Sequence, residues 1–203
     1  MMTQSPDPST TTFDYYDKNA QRFFDGTVNI DMTSLYQPFL DLLPQTGKIL
    51  DAGCGSGRDT RFFILQGFKV VAFDYAPEIV KLASEYVGQD VLLLSYEDIG
   101  FQNLFDGVWA CSSLLHVPKN DMRNILARFV NAMRDNGILY TSFKYGTEEL
   151  VRNGRLFVDY TETEFDQVLG DMPTVELVKY WQTNDLRPGR SEEKWLNILV
   201  RKV

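Results

Sequence analysis

The spacing of hydrophobic and polar positions changes character along the chain. In residues 13–25, Tyr16, Ala20 and Phe24 recur at four-residue spacing, which predicts a helix with three apolar or aromatic groups along one face. A second helix is predicted over about 31–43, with a kink or early stop at Pro38, because proline lacks the amide proton that an interior turn donates. From Lys48 short apolar runs alternate with amphipathic ones. Segments 48–52, 69–73, 90–94, 105–111 and 137–143 read as strands, and 58–66, 77–87 and 119–134 as helices among them. Gly67 and Gly88 mark helix ends and Pro77 a helix start. This rhythm predicts an α/β fold with a mostly parallel sheet covered on both faces, since each right-handed crossover returns the chain parallel. Thr161 and Glu164 then have the spacing of a capping box for a helix through about residue 169, and 175–181 and 195–200 predict two antiparallel strands joined by a polar loop.

Composition narrows the function. With 203 residues, 44% hydrophobic and 24% charged, one globular domain is expected. A chain of this length buries roughly 70% of its unfolded surface, enough for a full apolar core. Twenty Lys and Arg against 28 Asp and Glu give a net charge of -8, which opposes long-range attraction to nucleic acid or anionic membrane. Two cysteines, Cys54 and Cys111, and a single histidine, His116, make neither a disulfide framework nor a zinc ligand set, and reduced thiols suit a cytoplasmic protein. Residues 1–12 are polar and read as a loose tail, without the basic end and apolar centre of a signal peptide; no apolar run approaches a membrane span. With no internal repeat after residue 12, the expectation is one domain over 13–203.

The most informative stretch is Ile49-Leu50-Asp51-Ala52-Gly53-Cys54-Gly55-Ser56-Gly57, a strand running into a glycine-rich turn and then a helix. Glycines let backbone approach a ligand where a Cβ would collide. The spacing is Gly-x-Gly-x-Gly, whereas the dinucleotide fingerprint would place its third glycine at Arg58. Asp51, two residues before the first glycine, suits an ammonium and repels phosphate; a dinucleotide site needs the reverse. Asp74 ends the second strand about 20 residues on, where such folds place an acid that accepts from both ribose hydroxyls. Tyr75 follows it and is placed to lie against a purine, and Glu97-Asp98-Ile99 after the third strand offers a carboxylate to an adenine amino group. The combination points to a ligand with a sugar and a positive charge but no phosphate.

With these residues the chain resembles the class I S-adenosylmethionine-dependent methyltransferases. The resemblance rests on Asp51 to Gly57, Asp74, Asp98-Ile99 and Phe105-Asp106-Gly107-Val108-Trp109, and spans about 15–202. It implies a Rossmann-like doubly wound, mostly parallel seven-stranded sheet in three α/β/α layers, ending in an antiparallel hairpin strand. It further implies S-adenosylmethionine as cofactor, held by Asp51, Ala52, Gly53, Cys54 and Gly55 beside the methionine and sugar, by Asp74 on ribose, by Tyr75, Asp98 and Ile99 around adenine, and by Cys111. Helices over about 13–43 would form a lid, with Tyr16 near the methyl donor and Arg22 on the methionine carboxylate or a substrate anion. The implied reaction is in-line transfer of a methyl group to O, N or S of a small acceptor. Gly55 to Thr60 and Ser113-Leu114-Leu115-His116-Val117 further resemble a tellurite-resistance and small-molecule branch.

Each of these residues also has a plainer reading. Tyr16, Ala20 and Phe24 are equally the packing face of an amphipathic helix. Arg22 is equally an exposed arginine, and Asp98 a loop acid. His116 is either a packed group or a general base, its ordinary pKa permitting the latter. Cys54 and Cys111 read as small fillers. Arg187, Arg190 and Trp195 are either contacts for an anionic or aromatic substrate or a solvated loop and hairpin anchor. Two other functions share the sheet: a nicotinamide-dependent oxidoreductase, which explains Asp74 but not Gly57 or Asp51, and a noncatalytic nucleoside-binding domain.

Overall fold

The computed structural model describes residues 8–203. Seven strands form one sheet: β1 Lys48–Ala52, β2 Lys69–Asp74, β3 Leu92–Leu93, β4 Phe105–Ala110, β5 Met133–Lys144, β8 Val175–Asn184 and β9 Lys194–Lys202. Their order is β3-β2-β1-β4-β5-β9-β8. The pairs from β3 to β5 are parallel, with Leu50 opposite both Val71 and Val108, while β9 runs antiparallel to β5 and β8. This is the doubly wound sheet with a terminal antiparallel hairpin that the chain's alternation predicts.

Successive strand residues point to opposite faces, so each strand feeds two cores. Leu50, Val108, Leu139 and Ile198 face one layer, where they meet Phe129 of α6 (Lys119–Ala132) and Phe165 of α7 (Glu162–Gly170). Ile49, Trp109, Tyr140 and Leu199 face the other, against Tyr36 and Phe39 of α3 (Thr33–Leu40) and Phe63 of α4 (Arg58–Leu65). Helix α5, Pro77–Val87, completes this second layer, with Ala83 packed near Ala72. Thr161 caps α7 as predicted, its hydroxyl accepting from the Glu164 amide at 3.3 Å while the Glu164 carboxylate accepts from the Thr161 amide at 3.2 Å.

The amino-terminal region departs from its sequence reading. The helix expected over 13–25 is two, α1 Pro8–Lys18 and α2 Ala20–Thr27, separated at Asn19. The Asn19 side-chain amide donates to the Tyr15 carbonyl at 2.8 Å, which also accepts from the Asn19 backbone amide at 3.0 Å. Residues 8–12 are the start of α1 rather than tail, and Thr12 is buried, its hydroxyl accepting from the Leu156 amide at 2.9 Å. The remainder of the expected tail lies outside the described residues. Helix α3 ends two residues after Pro38, in keeping with the predicted stop, but its buried Leu35, Tyr36 and Phe39 make it a core element rather than part of a lid. Strand β3 is shorter than expected, with both leucines exposed at the sheet edge, where short strands resist unwanted pairing.

A hairpin between β5 and α7, not anticipated from the pattern, pairs β6 Glu149–Arg152 with β7 Arg155–Val158. Its turn is Asn153-Gly154 with φ of 52° and 76°, the twist-matched two-residue turn that favours these residues. No described helix is long and apolar enough to cross a membrane.

Candidate active site

The site lies at the carboxyl ends of β1, β2 and β4. Gly53, Gly55 and Gly57 all take positive φ, of 71°, 55° and 75°. The amides of Gly53 and Cys54 donate to the Phe73 carbonyl at 3.0 and 2.9 Å and hold the loop against β2. A Cβ on Gly53 would stand 2.7 Å from both Ser113 Cβ and Tyr96 Oη, so the absence of a side chain there keeps the loop tight against the β4 side. Gly57 serves packing instead: a Cβ there would meet Val87 Cγ2 at 2.7 Å, where α4 starts against α5.

Asp74 ends β2 and organises the next turn. Its Oδ2 accepts from the Gly55 amide at 2.9 Å, and its Oδ1 from the amides of Tyr75 at 2.8 Å and Ala76 at 3.2 Å. Burial raises its pKa, opposed by these three amides. Asp74 lines a cavity of about 330 Å³ together with Gly53, Gly55, Tyr75, Tyr96 and Glu97. Tyr75 is half exposed, its ring 4.8 Å from that of Phe13 on α1.

Several expected site residues stand elsewhere. Asp98 is exposed and does not line the cavity; its carboxylate accepts from the Ser95 hydroxyl at 2.8 Å, and its neighbour Glu97 takes the lining position. Ile99 packs into the core because the turn after β3 points it inward. Arg22 is exposed on α2 and lines neither this cavity nor the one described next. Asp51 is buried beneath the loop, accepting from the Thr60 hydroxyl at 2.5 Å, with burial and then the nearby Asp59 pushing its pKa up to about 8. Ala52 is buried too, and its carbonyl accepts from the Ser113 hydroxyl at 2.7 Å. These two support the loop from below rather than line a cavity.

A second cavity, about 170 Å³, adjoins the first and shares Tyr16, Phe23, Gly53, Gly55, Ser112 and His116 with it. Its other walls include Cys54, Cys111, Lys144, Arg155, Arg187, Arg190 and Trp195, so the last loop does reach a site. His116 Nδ1 lies 2.5 Å from the Leu156 carbonyl, which can only accept, so Nδ1 carries the proton and Nε2 accepts from the Tyr16 hydroxyl at 2.8 Å. Burial holds the imidazole down at about 4, and the Tyr16 phenol is pushed up by burial. Burial also raises the Cys111 thiol to about 12 and the Cys54 thiol upward, which removes both as thiolate nucleophiles.

Two functional groups carry little signal in the sequence. Asp59, one residue into α4, accepts from Tyr36 Oη at 2.6 Å, Arg58 Nε at 2.6 Å and Trp109 Nε1 at 2.8 Å, and these partners hold its pKa low despite burial. Only the tertiary fold unites its partners. Arg155 reaches the cavity from the unanticipated β6–β7 hairpin, for which Asn153-Gly154 was the available signal.

Residues 49–137 match the family model described as a methyltransferase domain. The ubiquinone biosynthesis O-methyltransferase of Xanthomonas axonopodis pv. citri (strain 306) is 32% identical over 108 residues, 50% of this chain and 44% of that protein. The chain thus spans about half the length of the curated relatives it matches first. Among solved structures, the 1,6-didemethyltoxoflavin-N1-methyltransferase of Burkholderia thailandensis, with its didemethyltoxoflavin and S-adenosylhomocysteine, aligns at a TM-score of 0.79 and 20% identity, covering 100% of this chain and 93% of that one. Magnesium protoporphyrin IX methyltransferase from Synechocystis PCC 6803, with bound S-adenosylmethionine, aligns at 0.73 and 16% identity, covering 100% of both chains. Residues 49–137 are thus similar to a methyltransferase domain, and the chain shares the Rossmann-like fold of these solved methyltransferases.

Proposed function

We propose that the protein is an S-adenosylmethionine-dependent methyltransferase acting on a small-molecule acceptor. The observation that carries this reading is the common wall of the two cavities, in which Gly53, Gly55, Tyr16 and His116 face both. One cavity suits a nucleoside, the other a compact acceptor, and the wall between them is where a group could pass.

The residues fit the cofactor. Gly53 and Gly55 present bare backbone to both cavities, where a ligand can approach closely. Asp74 has lone pairs beyond the three amides it accepts from, suited to ribose hydroxyls, and Tyr75 and Glu97 line the same cavity with an aromatic face and a carboxylate for a purine and its amino group. When bound, S-adenosylmethionine supplies a methyl group activated by a sulfonium charge. The task left to the chain is to align and dehydrate the acceptor, and alignment can supply about 7–11 kcal/mol. His116 is a neutral acceptor committed to Tyr16, so it serves here as a positioning group rather than a strong base. Helices α1 and α2, which bring Tyr16 and Phe23 to the shared wall, act as the lid. The acceptor atom is O, N or S, and the small-molecule acceptor is supported by the similarity to the ubiquinone biosynthesis, didemethyltoxoflavin and magnesium protoporphyrin methyltransferases.

Titration calorimetry with S-adenosylhomocysteine tests the cofactor, followed by transfer of labelled methyl from S-adenosylmethionine to a panel of small phenols, amines and thiols. Saturable micromolar binding and label transfer are expected. Absence of heat with either sulfur nucleoside on folded protein, together with saturable binding of a reduced nicotinamide cofactor, would reverse the assignment. Binding without transfer to any acceptor would favour a noncatalytic nucleoside-binding domain.

A further inference from the structure

The second cavity carries an uneven charge. Arg58, Lys144, Arg155, Arg187 and Arg190 all line it, in a chain whose net charge is -8. Four of these cations have carboxylate partners. Arg58 Nε lies 2.6 Å from Asp59, Arg187 Nε donates to Asp185 at 2.9 Å, and Lys144 and Arg190 share Glu193, the latter at 3.6 Å. Arg155 has no carboxylate partner among the described residues. Its guanidinium sits 4.2 Å from the Tyr15 ring centroid, 5.0 Å from Phe157 and 5.7 Å from Tyr16. Its hydrogen bond from Nη1 to Tyr16 Oη is long, at 3.4 Å, and its Nε is buried without a partner among the described residues.

Aromatic faces hold a cation in place but offer its N–H groups no strong acceptor. A buried, unpaired guanidinium donor is costly unless an acceptor arrives, and the planar fork favours a carboxylate or phosphate that can take two parallel bonds. Arg155 lines the second cavity and not the one containing Asp74, which separates it from the proposed ribose and adenine contacts. Phe157 and Trp195 add aromatic walls beside it, and Trp195 is fixed by donating Nε1 to Asp185 at 3.1 Å.

We propose that the acceptor is an aromatic anion, bearing a carboxylate or phosphate that pairs with Arg155 while its nucleophilic atom faces the Tyr16 and His116 wall. The proposal deepens the methyltransferase reading and rests on it. It is tested by calorimetric titration of the protein with benzoate, phenyl phosphate and the neutral benzamide, each with and without saturating S-adenosylhomocysteine. At least one anion is expected to bind about tenfold or more tightly than benzamide, and the tighter of the two identifies the anionic group. Arg155→Met should abolish that preference and leave S-adenosylhomocysteine affinity unchanged; Arg155→Gln replaces it where the methionine variant lowers the melting temperature, and Arg155→Lys should keep part of the preference. No preference for either anion in the wild type, or its survival in the charge-removing variant, overturns the proposal. Loss of S-adenosylhomocysteine affinity in that variant also overturns it, by placing Arg155 on the cofactor's carboxylate. Should the wild type fail to bind S-adenosylhomocysteine, the cofactor reading falls separately, and the titrations without it still decide the role of Arg155.

Discussion

The Tyr16 hydroxyl on α1 donates to His116 Nε2 across the fold at 2.8 Å, while His116 Nδ1 is held by the Leu156 carbonyl. Both imidazole nitrogens are therefore occupied, and the ring is a strut between α1 and the β6–β7 hairpin. Tyr16→Phe strands a buried acceptor and should cost about 1–3 kcal/mol of stability, read by denaturant unfolding. His116→Ala should lower methyl transfer by less than about tenfold, because alignment outweighs a weak base. A complete loss of turnover with unchanged cofactor affinity would contradict this assignment.

The same histidine links stability to pH. Its folded pKa is about 4, below the ordinary 6.5, so between these values the unfolded chain binds the extra proton. Its contribution is complete above pH 6.5 and is lost as pH falls toward 4, by at most about 3 kcal/mol. Melting temperatures measured across that window should fall more steeply for the wild type than for His116→Gln.

Asp51 acts in the opposite direction. Its folded pKa, about 8, exceeds the ordinary 3.8, so the native state holds the extra proton and stability declines as pH rises from 4 to 8. Asp51→Asn mimics the protonated form and keeps an acceptor for Thr60. Thermal melts should show the variant close to the wild type near pH 4 and progressively more stable than it as pH rises to 8.

At Asp74 the charge matters for the ligand more than for the fold. Asp74→Asn keeps an oxygen for the Tyr75 and Ala76 amides but sets its amino group against the Gly55 amide and loses charge-assisted acceptance of ribose hydroxyls, and S-adenosylhomocysteine should bind about 10–100-fold more weakly by calorimetry. An unchanged affinity would remove Asp74 from the site.

Gly57 and Val87 should be coupled. Gly57→Ala puts a Cβ 2.7 Å from Val87 Cγ2 at φ 75° and should cost about 1–3 kcal/mol. Val87→Ala relieves the clash but not the left-handed strain, so the two substitutions together should cost less than the sum of their separate effects in a double-mutant cycle.

The sequence by itself determined the alternation of strands and helices, the glycine loop, Asp74 and the capping box at Thr161, because these depend on periodicity and on residues close together along the chain. Asn153-Gly154 offered a local turn signal of the same kind, but the hairpin around it was not anticipated. The rest depended on contacts that sequence spacing does not encode. The turn after β3 decided that Glu97 rather than Asp98 lines the cavity that contains Asp74, and burial turned Asp51 into a support for the loop. Tyr16, His116 and Arg155 lie far apart in the chain and meet only when α1 packs on the β6–β7 hairpin. Burial and hydrogen-bond partners set what each of these groups can do, and those are properties of the packed molecule.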